Sequence, residues 1–281
     1  MSQQLSNHNN QKKIAIINDL TGFGKCSIAV ELPIISAMAV QCCPVPTSIF
    51  SNHTAYPEYF FDDYTDKMQD YIDNWKKLGL RFQGILTGYL CDIRQIDIVR
   101  KFIKEFRDQS TIVVVDPVMG DNGRVYSGYS SKVCQGITEL VKSADIVTPN
   151  LTEACLITSR DYKEVVINHK LVEEMAKEIS EMGPEKVVIS GILKDNMIGD
   201  YVFEKDGAKE FLFNDIVGIS REGTGDVFSA IIAADAVNDV PFVESVKKGS
   251  DFIRRCLVIS DERNIPREDG ICFEDLLTTL H

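Results

Sequence analysis

Short apolar runs and longer amphipathic ones take turns along this chain, and that alternation limits the folds open to it more than any other feature. The runs KIAIIN (13–18), VPTSIF (45–50), GILTG (84–88), TIVVVDPV (111–118), DIVTPN (145–150) and KVVISG (186–191) are rich in β-branched residues and nearly continuous in apolarity. Such runs mark strands covered on both faces, as in a parallel sheet. Between them lie helix-like stretches near 27–40, 64–78, 93–108, 129–143 and 168–182. Repeated βαβ units put helices on both sides of the sheet, so the predicted fold is α/β with three layers, α/β/α, around a mainly parallel sheet. After Gly191 the rhythm changes. IGDYVFE and AKEFLFND flank Asp206-Gly207, a hairpin signal, and helices are expected at 225–238, 242–261 and 272–279. No linker or repeat intervenes, so residues 12–281 are predicted to form one domain behind a flexible polar tail, 1–11.

A chain of 281 residues can bury a substantial core. Its net charge of −12 argues against a nucleic-acid or acidic-membrane partner, whose binding would rest on clustered Lys and Arg. It does not argue against ATP, which a few local groups and a metal can hold. None of the eight cysteines forms a CxxC pair or sits at ligand spacing from a histidine, so reduced, buried thiols are expected. The first residues lack an apolar export core, and no apolar run approaches a membrane span. A cytoplasmic protein is the expectation.

Five segments, two of them overlapping, carry possible chemistry. In REGTGDVFSAIIAADAV (221–237), Gly223 and Gly225 flank Thr224 and Asp226 opens an apolar helix. Glycines admit close approach of a ligand, and free N–H groups at a helix start favour an anion. Asp226 could cap that helix, or take the proton from an attacking alcohol. In TPNLTEA (148–154), Asn150 and Glu153 suit either a water-mediated Mg²⁺ site or a capping box. VDPVMGD (115–121) offers Asp116 and Asp121 for a cation, or as turn residues. DPVMGDNGRVYSGYS (116–130), rich in turns at a strand's carboxyl end, suits a mobile cover. SIFSNHTAYPEYF (48–60) sets His53 among aromatics that could line a pocket for a flat ring or pack a loop. GFGKCS (22–27) is not a P-loop, because Asp19 stands at the early glycine position and Cys26 follows Lys25.

Taken in order, FSNHT (50–54), TGYL (87–90), DPVMGD (116–121), TPNLTEA (148–154), VVIS (187–190) and GTGDVF (223–228) resemble the ribokinase-like superfamily and, within it, the pyridoxal kinase family. The resemblance runs from about Lys12 to Ser260. It implies a ribokinase-like fold, a homodimer, and ATP-dependent phosphorylation of the hydroxymethyl group of pyridoxal, pyridoxamine or pyridoxine. It also implies Mg²⁺ and a place for a monovalent cation such as K⁺. Position by position, it implies Asp226 as base and Gly223 to Gly225 as anion hole. Asp121, Thr148, Asn150, Glu153, Ser190 and Thr224 fall on the nucleotide side, with Asp116, Asn150 and Glu153 near Mg²⁺, partly through water. Asn18, Thr47, His53 and Tyr89 fall beside the B6 ring. The family usually has Ser at Asn18 and an apolar residue at Glu222. Hydroxymethylpyrimidine kinases are the nearest alternative, and NDLTGFG (18–24) resembles theirs; they usually carry Cys where this chain has Asp226. A non-catalytic B6-binding protein would be expected to lack Asp226 or the glycines.

Overall fold

The computed structural model describes residues 9–281, so the first eight residues of the expected tail lie outside the described residues. Eleven strands form, β1 (Lys13–Thr21), β2 (Gln41–Phe50), β3 (Phe61–Asp63), β4 (Gly84–Thr87), β5 (Ile112–Val115), β6 (Gly120–Asp121), β7 (Arg124–Val125), β8 (Ile146–Val147), β9 (Lys186–Lys194), β10 (Met197–Glu204) and β11 (Lys209–Asp215). The helices are α1 (Ile28–Ala37), α2 (Thr65–Leu78), α3 (Ile93–Phe106), α4 (Ser131–Val141), α5 (Leu151–Thr158), α6 (Tyr162–Val165), α7 (His169–Met182), α8 (Thr224–Val237) and α9 (Phe242–Glu262).

Nine strands make one sheet in the order β11-β10-β9-β8-β5-β4-β1-β2-β3. Its six central strands run parallel, and the antiparallel pairs lie at the edges. The hairpin expected at Asp206-Gly207 joins β10 to β11. Alternate residues of each central strand enter different cores. Ala15, Ile17, Val113 and Val115 pack with α3, α4, α5 and α7 on one face. Ile14, Ile16, Leu86 and Val114 pack with α1, α8 and α9 on the other. Both faces are therefore dry, which is why the strands read as unbroken apolar runs. α8 is wedged between the sheet, α1 and α9, and Val227 through Ala234 are all buried. This explains a helix apolar on every side.

Three expectations are corrected. The strand read over 145–150 shrinks to Ile146–Val147, because Asn150 starts a helix. The short strands β3, β6 and β7 and the helix α6 were not foreseen, whereas α5 starts at the capping box that Asn150 and Glu153 suggested. The expected helix at 272–279 is a 3₁₀ turn over Glu274–Thr279. All eight cysteines are free, with Cys26, Cys155, Cys256 and Cys272 buried.

β1 is followed by β2 on one side, while β4 lies on its other side. The strand order thus reverses between β1 and β4, and ligands of open α/β sheets bind in the crevice above such a point.

Candidate active site

The crevice is bridged by one side chain. Asn18, at the end of β1, is 1% exposed. Its Oδ1 accepts from the backbone N–H of Asp19 (2.9 Å) and, across the crevice, of Tyr89 (2.8 Å). Its Nδ2 donates to Glu31 Oε1 (3.0 Å) and Asp226 Oδ1 (3.5 Å). Gly88 has no room for a side chain, because a Cβ there would collide with the Asn18 amide. All four hydrogen-bonding positions of the amide are thus used within the protein. The residue expected beside a substrate ring thus ties β1 to Tyr89, Glu31 and Asp226.

The start of α8 reaches the same place. Gly223 holds the N-cap position at φ 82°, with no side-chain cap. Glycine is required there twice over: the backbone is left-handed, and a Cβ would strike the Lys25 carbonyl. Gly225 faces open space. Asp226 lies inside the first turn rather than at the cap, so the capping reading of this residue fails. Its carboxylate also accepts from the backbone N–H of Ser27. Burial pushes its pKa up to about 7, the Ser27 bond opposes this, and neighbouring Asp19 adds to the rise. The loop 22–27, no P-loop, therefore shapes the site by seating Gly223 and holding Asp226.

The start of α5 is the opposite case. Asn150 Oδ1 accepts from Glu153 N (3.0 Å), and Glu153 Oε2 accepts from Asn150 N (2.8 Å), a complete capping box. Glu153 Oε1 accepts from Met119 N (3.1 Å), and Asn150 Nδ2 donates to the Gly120 carbonyl (2.8 Å). The capping-box alternative is thus realised, and the polar atoms of the pair brace the helix and the β6–β7 turn, which leaves a water-mediated role toward Mg²⁺ as the form the expectation takes here. Among the described residues no three His, Cys, Asp or Glu side chains converge as a ready metal cluster. Asp116 does enter the crevice region, 9% exposed and hydrogen-bonded to Ser229. Burial holds its carboxyl well above the usual range, and the neighbouring carboxyls of Glu153, Asp226 and Glu31 push the same way.

Of the other expected residues, Thr148 is buried with its hydroxyl unpartnered in the protein. Ser190 bridges to Asn150 as a β-pair, and Thr224 Oγ1 donates to the Arg221 carbonyl at 3.3 Å. Asp121 is exposed in the β6–β7 turn. Thr47 is fully buried, its hydroxyl donating to the Tyr89 carbonyl (3.0 Å). Tyr89 is half-buried, edge-on to Phe50 and Tyr129. His53 accepts from Ala55 N at Nδ1, and its Nε2 lies 3.7 Å from Glu222 Oε2. Arg267 approaches Glu222 from the other side at 3.9 Å.

Three residues escaped the sequence reading. Arg221 is buried and ties the glycine loop to α9 through Asp261 (2.8 Å) and the Ile265 and Pro266 carbonyls. Asp19 accepts from the hydroxyls of Thr21 and Ser27. Glu31 is 1% exposed and touches the crevice only through Asn18. Arg221 stands directly before the Glu222–Asp226 motif, which is the one sequence cue it had.

The model of the phosphomethylpyrimidine kinase family matches residues 27–270. The chain belongs to this family. A Bacteroides thetaiotaomicron protein, described as a candidate phosphomethylpyrimidine kinase, shares 34% identity over 98% of this chain and 95% of its own, with a TM-score of 0.94. A second crystal form of that protein contains pyridoxal (34% identity, TM-score 0.92, 96% of each chain). The hydroxymethylpyrimidine/phosphomethylpyrimidine kinase of Aquifex aeolicus is 25% identical over 87% of this chain and 88% of its own. Pyridoxal kinase from Leishmania donovani in complex with ADP and pyridoxamine superimposes with a TM-score of 0.87 at 21% identity, over 96% of this chain and 95% of that one. The fold is that of ribokinase-like pyridoxal kinases, and the activity is phosphoryl transfer.

Proposed function

We propose that the protein transfers a phosphoryl group from ATP to the hydroxymethyl group of a vitamin B6 form. The observation that carries this is the Asp226 carboxylate, held by Ser27 and Asn18 one turn into a helix whose cap is bare glycine. A base must be ionised yet basic enough to accept the alcohol proton near neutrality, and a pKa of about 7 meets both needs. The uncapped N–H groups of Gly223 to Gly225 are free to receive the oxygens of the transferring phosphoryl group. Thr224 lies between them at the same helix start.

ATP as donor fits an exposed apolar strip made by Leu193 and Ile198, which pair between β9 and β10. Such a strip suits the flat face of a nucleobase. Asp121 and Thr148 remain candidates for the nucleotide side, as does Ser190, which pairs with Asn150. Mg²⁺ fits Asp116, whose strongest charged neighbours are all carboxyls. With no protein cage ready, the ion would be held chiefly by phosphate oxygens and water, with Asp116 and Glu153 behind them. When bound it would screen the phosphates' charge.

The B6 ring fits between Tyr89 and the His53 loop. The pyridoxal-containing relative at 34% identity supports this choice. The family model and the Aquifex relative support a second reading, hydroxymethylpyrimidine as the alcohol. Parallel measurement of ATP-dependent turnover on pyridoxal, pyridoxamine, pyridoxine and hydroxymethylpyrimidine decides between them. A kcat/KM for hydroxymethylpyrimidine above that for every B6 form overturns the first reading.

A further inference from the structure

Behind the proposed base lies a second carboxyl group that no step of the reaction uses. Glu31 projects from α1 beneath the crevice, 1% exposed. Its Oε1 accepts from Asn18 Nδ2 at 3.0 Å, and the same nitrogen lies 3.5 Å from Asp226 Oδ1. Its Oε2 is buried with no partner. The amide cannot turn to other partners, because Asp19 N and Tyr89 N fix its oxygen and Gly88 packs against its plane. One side chain therefore joins two acids on two helices, α1 and α8, at the reversal of strand order.

We propose that Glu31 is a positioning residue which, through Asn18, fixes the orientation of the Asp226 carboxylate and so sets the pH at which Asp226 accepts a proton. This rests on the reading of Asp226 as base. Without an acceptor at Glu31, the Asn18 nitrogen loses one of its two anchors and its bond to Asp226 slackens. That bond favours ionised Asp226, so its loss raises the carboxyl's proton affinity. The groups facing Asp226 are otherwise anions or neutral: Asp19 from β1, Cys26 and the Ser27 N–H from the following loop, Asp116 beyond β5, and Glu222 before α8. No cation in this set offers an alternative anchor. Burial holds Glu31 itself well above the usual carboxylate range, with Asp226 pushing the same way. The bond from Asn18 needs Glu31 only as an acceptor, a task an amide oxygen can also perform.

The test compares Glu31→Leu, Glu31→Gln and Asn18→Leu in the full chain, with thermal unfolding as the folding check. The ¹³Cγ signal of Asp226 is titrated in each, a readout that needs no turnover. Turnover is then measured on the best alcohol found for the parent. Glu31→Leu and Asn18→Leu should lower kcat about tenfold to a hundredfold, the scale of a misplaced catalytic group, with KM for the alcohol nearly constant. Both should also raise the Asp226 midpoint. Glu31→Gln should rescue both properties. A Glu31→Leu protein that folds with parental kcat and midpoint overturns the proposal. So does a Glu31→Gln protein as impaired as Glu31→Leu, since that result makes the charge, not the acceptor, the active element. If the parent phosphorylates none of the alcohols, the substrate reading fails, and the Asp226 titration alone decides the role of Glu31.

Discussion

Two helix starts in this molecule look alike in sequence and behave as opposites. α5 follows β8 with Asn150 and Glu153 in a closed capping box, so its first N–H groups are partly spent on its own side chains. α8 begins at Gly223 with no side-chain cap, and its acidic residue points toward Ser27 and Asn18 instead. An acid placed to satisfy a helix contributes to stability. Burial makes both acids costly to ionise, Glu153 at about 8 and Asp226 at about 7, but only Asp226 is left outside a capping box and so open to chemistry. The difference is set by one position: Asn at the α5 cap supplies the oxygen that Gly at the α8 cap lacks.

The sharpest way to break this contrast is Asp226→Asn. It should lower kcat by about 10²-fold or more, the scale for losing a general base. Stability should move the other way. The Asp226 carboxyl is raised from 3.8 to about 7, so the folded chain holds a proton there that the unfolded chain releases. The stability linked to that proton is complete below about 4 and is lost as pH rises through about 7. Asp226→Asn should therefore melt no lower than the parent at pH 8, and the parent's kcat/KM should rise with pH through about 7. A mutant both inactive and less stable at pH 8 would make Asp226 a structural acid like Glu153.

Gly223→Ala tests the bare cap. The left-handed backbone alone costs about 1–2 kcal/mol, and the new Cβ meets the Lys25 carbonyl. Displacing the helix start should reduce kcat about tenfold or more. A parental kcat would show that the loop 22–27 yields freely.

At α5 the same logic predicts a stability effect. Asn150→Ala should cost about 1–2 kcal/mol in denaturant unfolding, the usual loss for a cap, and lower kcat far less than Asp226→Asn. Equal losses of kcat in the two mutants would erase the distinction. The smallest effect is expected in the β6–β7 turn, which Asn150 and Thr152 tether at Gly120 and Gly123. Hydrogen exchange over Gly120–Gly128 should slow when nucleotide binds, as expected of a cover over phosphoryl transfer. Unchanged exchange would make the turn a fixed part of the α5 cap.

The strands and the late hairpin were legible because their signals are local: β-branched runs, and Asp-Gly between amphipathic segments. α5 was legible only at its start, through the capping box, because LTEACLIT is buried almost all round and shows no helical stripe. Asp226 and its glycines could be singled out by spacing, though whether the acid capped the helix depended on backbone geometry at Gly223. The bridging role of Asn18 was hidden for a related reason. Its partners Glu31, Tyr89 and Asp226 lie 13, 71 and 208 positions away, so nothing in its neighbourhood reveals that the amide is saturated.

The separation between Asn18 and Asp226 also dictates how the protein must be made. Ribosomes add roughly 5–20 residues per second, so on the order of 10–40 s pass between the appearance of the two residues. During that interval β1, β4 and β5 can pair, but the face carrying Ile14, Ile16, Leu86 and Val114 has no α8 or α9 to cover it. The nascent chain thus carries an open apolar sheet face until its last quarter emerges. A fragment ending before Gly223 should be sticky as well as inactive, and a competent crevice reports that synthesis and folding have both finished.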